Sequence, residues 1–207
     1  MSPTQPAAQR LWQFAITAAL LVSFLVAYAV AGDAATDPYC TRTVLDDPWP
    51  VVPAAVWLYL SPYLVGVVAV SALPRPVFRG FCLRGLLLGL VHLAVFFLAP
   101  TVVARADLDD SLQGISATLL RLIYAADHPT NAAPSAHVSV TILITWALWR
   151  AWPKTGIPAA LWCLGVCATV VLTGQHHVLD ALAGAALVAV VLVAFDRFEP
   201  HEGPGRR

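Results

Sequence analysis

Two short polar segments in an otherwise apolar chain hold residue types that can do chemistry. The first runs Asp127-His128-Pro129-Thr130-Asn131-Ala132-Ala133-Pro134-Ser135-Ala136-His137, closing a long polar loop and opening an apolar run. Pro134 holds the end of the loop extended, and Ser135 is suited to cap a helix. A helix start presents unpaired backbone amides and the positive end of the dipole, an arrangement that holds phosphate. His137 then lies on the first turn, beside any such anion. The plainer alternative makes Ser135 only a cap and His137 only an interfacial histidine.

The second segment is Thr173-Gly174-Gln175-His176-His177-Val178-Leu179-Asp180, at the start of the last apolar run. An ionisable group inside a membrane span is costly and ordinarily has a partner or a role. His176 and Asp180 are four apart, so on a helix they share a face, and the carboxylate can take a proton from one imidazole nitrogen. The other nitrogen is left as a nucleophile or base. His177 is three before Asp180 and competes for it, so spacing alone does not choose between the histidines. A His–Asp pair that merely steadies a helix end is the plainer alternative here.

The elements that must position these segments are membrane helices. Of 207 residues, 59% are hydrophobic and 12% charged, with a mean hydropathy of +0.74, against about 25% charged in an average soluble domain. A water-soluble globular protein is excluded. Twelve basic and twelve acidic residues cancel and no basic stretch is long enough to track nucleic acid, so a nucleic-acid partner is excluded as well. Charge-free runs at Leu11–Gly32, Pro48–Pro74 and Gly85–Ala104 are each long enough to cross a bilayer, and shorter ones follow at Val138–Trp149, Ile157–Thr173 and Val178–Phe195. The first follows Arg10 without a small-residue cleavage site and reads as a retained helix, not a signal peptide. The expectation is an all-α integral membrane protein of about six spans, one domain over 1–207, with its active site at the outer interface.

Six spans place both termini on one side. Arg10, Arg75, Arg79, Arg84, Arg150, Lys154, Arg197, Arg206 and Arg207 fall on that side, against Arg42, Arg105 and Arg121 opposite. The positive-inside rule makes the terminal side cytoplasmic, so loops 33–50 and 104–135 face the periplasm or exterior. Eleven of the twelve basic residues are Arg, which hints at a GC-rich prokaryotic genome and a bacterial cytoplasmic membrane. Trp12, Trp49, Trp57, Trp149 and Trp152 lie near span ends, where amphipathic rings prefer the interface. Four cysteines show no disulfide framework or metal spacing. Gly85 and Gly89 form a GxxxG that can bring helices close, including those of a homodimer, though the pattern is common by chance. The 104–135 loop is longer than a connection needs.

PSAH at 134–137, followed by GQHHVLD at 174–180 and LAG at 182–184, resembles the type 2 phosphatidic acid phosphatase superfamily. NAAPSAH and TGQHHVLD are similar to its branch with NxxPSxH and QHHxxD, related to the inositol phosphorylceramide and sphingomyelin synthases. The motif-level match covers about residues 95–190. The resemblance implies that His176 is the nucleophile, Asp180 its orienting carboxylate, His137 the general acid and Ser135 a phosphate contact. It implies in-line attack of His176 on phosphorus, protonation of the leaving oxygen by His137, and a phosphohistidine resolved by water or an alcohol. Neither metal nor cofactor is implied. The partners expected are a lipid phosphate substrate and the bilayer.

The departures from the phosphatase signature concern charge. Thr169 and Val170 stand at its SR positions, and the 104–133 loop has no KxxxxxxRP. Phosphoryl transfer depends on neutralising the equatorial oxygens, so this site must find charge elsewhere or use neutral donors. Arg105 and Arg121 are the remaining cations on that face, with Asn131, Gln175 and His177 the nearest donors. Arg105 is favoured, because Arg121 lies in the apolar run Leu119–Ala126 and snorkels. Asp107, Asp109 and Asp110 resemble part of a cation site but read more simply as a solvated acidic loop. Three functions follow: a lipid phosphatase cleaving a phosphate ester or diphosphate, a phosphotransferase moving a phospho-headgroup to a lipid or polyol hydroxyl, or a non-enzymatic protein using His92, His137, His176 and His177 for haem or proton relay.

Overall fold

The computed structural model describes residues 6–47, 49–105, 108 and 112–198. Helices α1 (Ala7–Ala34), α2 (Val56–Ser71, entered through a 3-10 turn at Pro53–Ala55) and α3 (Arg75–Leu98) form the first half. The second half has α4 (Ile115–Ala126), α5 (Ala136–Ala151), α6 (Gly156–Leu172, entered through a 3-10 turn at Pro153–Thr155) and α7 (Val178–Phe198). Among the described residues five helical segments are long and apolar enough to cross a membrane: Ala7–Ala34, Pro53–Ser71, Arg75–Leu98, Pro153–Leu172 and Val178–Arg197. Only 11–33% of each span is buried inside the protein. Apolar helices whose apolar side chains mostly point outward need lipid to cover them, and the chain is an all-helical membrane protein.

The fourth expected span differs. Helix α5 has 16 residues, about 24 Å of rise, short of the bilayer core. It is the central helix, packed against α2, α3, α6 and α7, and His137, Val138, Ser139, Thr141, Leu143, Ile144 and Ala147 are all buried. A helix surrounded by others does not need to match the lipid thickness. Toward the terminal end of the bundle Leu143, Ile144 and Ala147 meet Val70, Leu73, Phe78, Phe81, Leu88, Val188 and Val191 in the main core.

Three further features depart from expectation. Helix α3 begins at Arg75 rather than Gly85, because Arg84 is accommodated inside the bundle. Its guanidinium pairs with Asp196 at 3.1 Å and lies over the Trp146 and Phe195 rings at 4.3 and 4.7 Å. The 104–135 loop contains α4, a 12-residue amphipathic helix. Within that loop Asp107, Asp109 and Asp110 lie outside the described residues. Finally, two-residue strands β1 (Tyr39–Cys40) and β2 (Thr101–Val102) pair in parallel, and Val102 also bridges to Thr130. These bonds tie loops 35–52 and 99–135 together over one end of the bundle. Gly85 and Gly89, the GxxxG pair, face Leu143 and Phe24 of the same chain.

Candidate active site

The two polar segments converge at that end. Ser135 begins α5 as its N-cap: Oγ accepts from the Val138 N–H at 3.3 Å. The Ser135 N–H donates to the Asp180 carbonyl at 2.9 Å, which fixes α5 directly against the first turn of α7. The approach is so close that a Cβ on Gly184 would collide with the Ser135 carbonyl oxygen. Ser135 is fully buried and is not among the residues lining the adjoining cavity. The expected phosphate-contacting hydroxyl is thus engaged as a helix cap.

The turn that delivers the histidines is made by Gly174. Its φ of +65° suits glycine, and a Cβ there would meet the Tyr124 hydroxyl. Tyr124 of α4 donates to the Thr173 carbonyl at 2.8 Å, so the unexpected helix braces the turn. The turn extends to His177, and α7 starts only at Val178. His176 therefore precedes the helix, and helical i,i+4 geometry does not apply to it. Its Nδ1 lies 2.9 Å from the Ala132 carbonyl and 3.8 Å from Asp180 Oδ2. A carbonyl only accepts, so Nδ1 carries a proton, and in the neutral ring Nε2 is the nitrogen with the lone pair. The nearest orienting group is thus the backbone of the first motif, with the carboxylate at charge-pair distance. Asp180 is fully buried and its Oδ2 accepts the His177 N–H at 2.8 Å.

His177 has both ring nitrogens occupied. Nε2 accepts from the Ala104 N–H at 3.4 Å, and Nδ1 lies 2.8 Å from the Thr41 hydroxyl. Burial pushes its pKa down from the usual histidine value, consistent with a neutral ring that accepts a backbone N–H. The helix start behind it is capped by Asp46, whose Oδ1 accepts from the Val178 N–H at 2.7 Å. Thr41 and Asp46 are partners that the motifs did not reveal.

His137 and His176 line one cavity of about 740 Å³, and His177 does not. The cavity lies between α1, α2, α3 and α5 and is apolar over most of its length, with Leu21, Phe24, Leu86 and Leu90 among its walls. Its polar end also carries Asn131, Gln175 and Asp127. The His137 ring stacks on Tyr59 at 4.1 Å with 4° between planes, and meets the edge of Tyr63 at 5.6 Å. This fixes the ring while its buried Nε2 has no partner among the described residues.

Arg105 is present at this end but is held by protein. Nη1 donates to the Asp127 and Tyr124 carbonyls at 2.7 and 3.1 Å. Nη2 donates to Asp127 Oδ2 at 3.0 Å and to Gln175 Oε1 at 2.6 Å. Burial pushes the Asp127 carboxyl up, against the pull of Arg105 and His176. Asn131 donates through Nδ2 to the Tyr28 carbonyl at 2.8 Å, with Oδ1 buried and unpartnered. Arg121 lies on α4, where Nη2 donates to the Leu112 carbonyl at 2.8 Å.

Chemically, the arrangement offers two imidazole rings, one held through Nδ1 and one by ring stacking, and neutral donors at the end of an apolar cavity. The PAP2 superfamily model matches residues 36–194, a stretch that contains both motifs and five of the seven helices in full. No curated protein and no solved structure matches the chain. With the family model covering most of the sequence, including every residue that meets at the cavity's polar end, the chain belongs to the PAP2 superfamily.

Proposed function

We propose that the protein is a lipid phosphatase that works through a phosphohistidine on His176. The carrying observation is that the His176 and His137 rings line one cavity that is apolar over most of its length, with His176 held through Nδ1 and His137 Nε2 without a partner among the described residues. An alkyl chain fits the apolar length and leaves the phosphoryl group at the polar end. His176 Nε2 attacks phosphorus, the P–N bond forms as the P–O bond to the lipid breaks, and the leaving oxygen takes the proton from His137 Nε2. His137 then removes a proton from water, which attacks phosphorus and releases phosphate and free His176. Nδ1–H of His176, held by the Ala132 carbonyl, becomes more acidic in this sequence, and the nearby Asp180 carboxylate stabilises the positive charge that develops.

A second reading, transfer to an alcohol of a lipid or polyol, is favoured by Asn131 Oδ1. This buried acceptor lines the same cavity, and an acceptor hydroxyl would donate to it. That reading fits the NxxPSxH and QHHxxD branch. The haem alternative has less support, since His92 and His177 spend ring nitrogens on Leu88, Ser139, Thr41 and Ala104. We place the active site on the exterior face from the nine-to-three distribution of Lys and Arg. The test is product analysis by mass spectrometry after offering phosphatidic acid, phosphatidylglycerophosphate, prenyl diphosphate, and ceramide with phospholipid donors. Release of phosphate or a headgroup that requires both His176 and His137 supports the reading. Turnover of none of them refutes it.

A further inference from the structure

The cavity that holds the two histidines has an unusual charge for a phosphate site. Among the described residues lining it there is no Lys or Arg, and there is one carboxylate, Asp127. Arg105 stands just behind, and its charge is matched by Asp127 at 3.0 Å. What Arg105 does reach is Gln175, whose Oε1 it contacts at 2.6 Å. A guanidinium has no acceptor, so the amide oxygen must face it and the amide nitrogen must face away. Gln175 Nε2 is buried, has no partner among the described residues, and belongs to a residue that is 4% exposed and lines the cavity.

We propose that Arg105 is a positioning residue that acts on substrate only through Gln175, and that Gln175 Nε2–H is the donor to a phosphoryl oxygen. The resulting neutral grip selects a singly charged phosphodiester over a doubly charged phosphomonoester. The inference rests on the proposed function of the same site. A phosphomonoester carries about −1.5 to −2 at pH 7, and a diester carries a single negative charge. Beside Asp127, with Arg105 already matched and a protonated His137 supplying a single positive charge, a second negative charge is repelled by the carboxylate and finds no further Lys or Arg among the described residues lining the cavity. An amide N–H supplies direction without charge and suits the monoanion. With a diester bound, His176 Nε2 forms its bond to phosphorus, the diacylglycerol oxygen departs with the His137 proton, and the headgroup phosphate stays on His176. Water or an alcohol then takes its place, giving its proton back to His137, so both steps balance without a further reactant.

The experiment compares kcat/KM of the purified full-length protein on phosphatidic acid with that on phosphatidylglycerol, phosphatidylethanolamine and phosphatidylinositol of identical acyl chains. Wild type is expected to favour the best diester over the monoester by about tenfold or more. Asp127→Asn keeps the shape and an oxygen for Arg105 but leaves the guanidinium charge unmatched, and should shift that ratio toward the monoester by about tenfold. Gln175→Ala should lower kcat on both classes by about a hundredfold, the loss expected for one donor to a developing oxyanion. A wild-type preference for the monoester overturns the inference, as does a folded Asp127→Asn whose ratio stays within twofold. If lipids are turned over in a His176-dependent way but the ratio behaves so, only this inference fails. If wild type turns over none of the four, the inference fails, and the proposed function fails with it only when phosphatidylglycerophosphate, prenyl diphosphate and ceramide with phospholipid donors are not turned over either.

Discussion

Gly184→Ala tests whether the contact between the two motifs sets the catalytic geometry. The added Cβ would collide with the Ser135 carbonyl oxygen and lie 3.2 Å from the Ser135 carbonyl carbon and nitrogen. All three are backbone atoms, so no flexible side chain can yield. Restoring an ordinary C···O separation of about 3.3 Å requires α7 and α5 to part by about 1 Å. That movement strains the Ser135 N–H bond to the Asp180 carbonyl and the 2.8 Å bond from Ser139 Oγ to the Gly184 carbonyl. Overpacking of this kind costs about 1–3 kcal/mol, which a folded bundle can absorb. The catalytic effect should be larger, because a misplacement of about 1 Å costs on the order of a hundredfold in rate. Thermal unfolding in detergent should show a modestly less stable but folded protein at assay temperature, while kcat on the best lipid substrate falls by about a hundredfold. A folded variant with activity within threefold of wild type would refute the claim that this contact registers His137 against His176.

Further expectations follow from the same geometry. His176→Ala should abolish turnover, while His177→Ala should leave a measurable remainder, since the His177 ring nitrogens face Thr41 and Ala104 and not the cavity; a dead His177→Ala with an active His176→Ala would reverse the roles. The rate should fall as pH rises above the His137 pKa, because His137 must be protonated to give up its proton and burial pushes that pKa down to about 3. With p-nitrophenolate as leaving group, His137→Ala should lose the alkaline limb; a limb that persists removes His137 as the acid. Activity should survive excess chelator, and inactivation rescued by magnesium together with loss in Asp109→Ala would move the catalytic centre into the outer loop. For topology, a variant whose sole cysteine is the exposed Cys40 should be labelled in intact cells by an impermeant thiol reagent, and one with only Lys154→Cys should not; the opposite pattern inverts the orientation.

The parts of this molecule that were legible in the sequence are those written in local spacing. Apolar runs gave the helices, PSAH gave a helix cap and the adjacent histidine, and GQHHVLD gave the second histidine pair. The rest depended on contacts between distant segments. Arg75, Arg79 and Arg84 interrupt the apolar run in the sequence, whereas in the fold the buried Arg84 is compensated by contacts that include Asp196, 112 residues away, and two aromatic rings. Helix α4 was hidden because 12 residues containing Arg121 are too few to signal a span and too apolar to signal a loop. His176 and His177 were indistinguishable by distance to Asp180, and they remain so at 3.8 and 3.9 Å. What separates them is Thr41 and Ala104 on one ring and Ala132 on the other, none of which any spacing rule connects to residue 176 or 177. Ser135 shows the converse: its local role as a cap was legible, and Oγ accepts the Val138 N–H as that role requires.

The covalent step is tested most directly by trapping it. Wild-type protein quenched in base within the first turnover of a phosphorus-labelled lipid substrate should carry label that is stable to alkali and released by mild acid, as expected of a phosphohistidine. Peptide mass spectrometry should locate the label on His176, His177→Ala should still acquire it, and His176→Ala should not. In His137→Ala the label should accumulate when the leaving group is p-nitrophenolate, because the deprotonation of water is then slowed. Label that persists in His176→Ala, or that lies on His177 or His137, would contradict the assignment of His176 as the nucleophile.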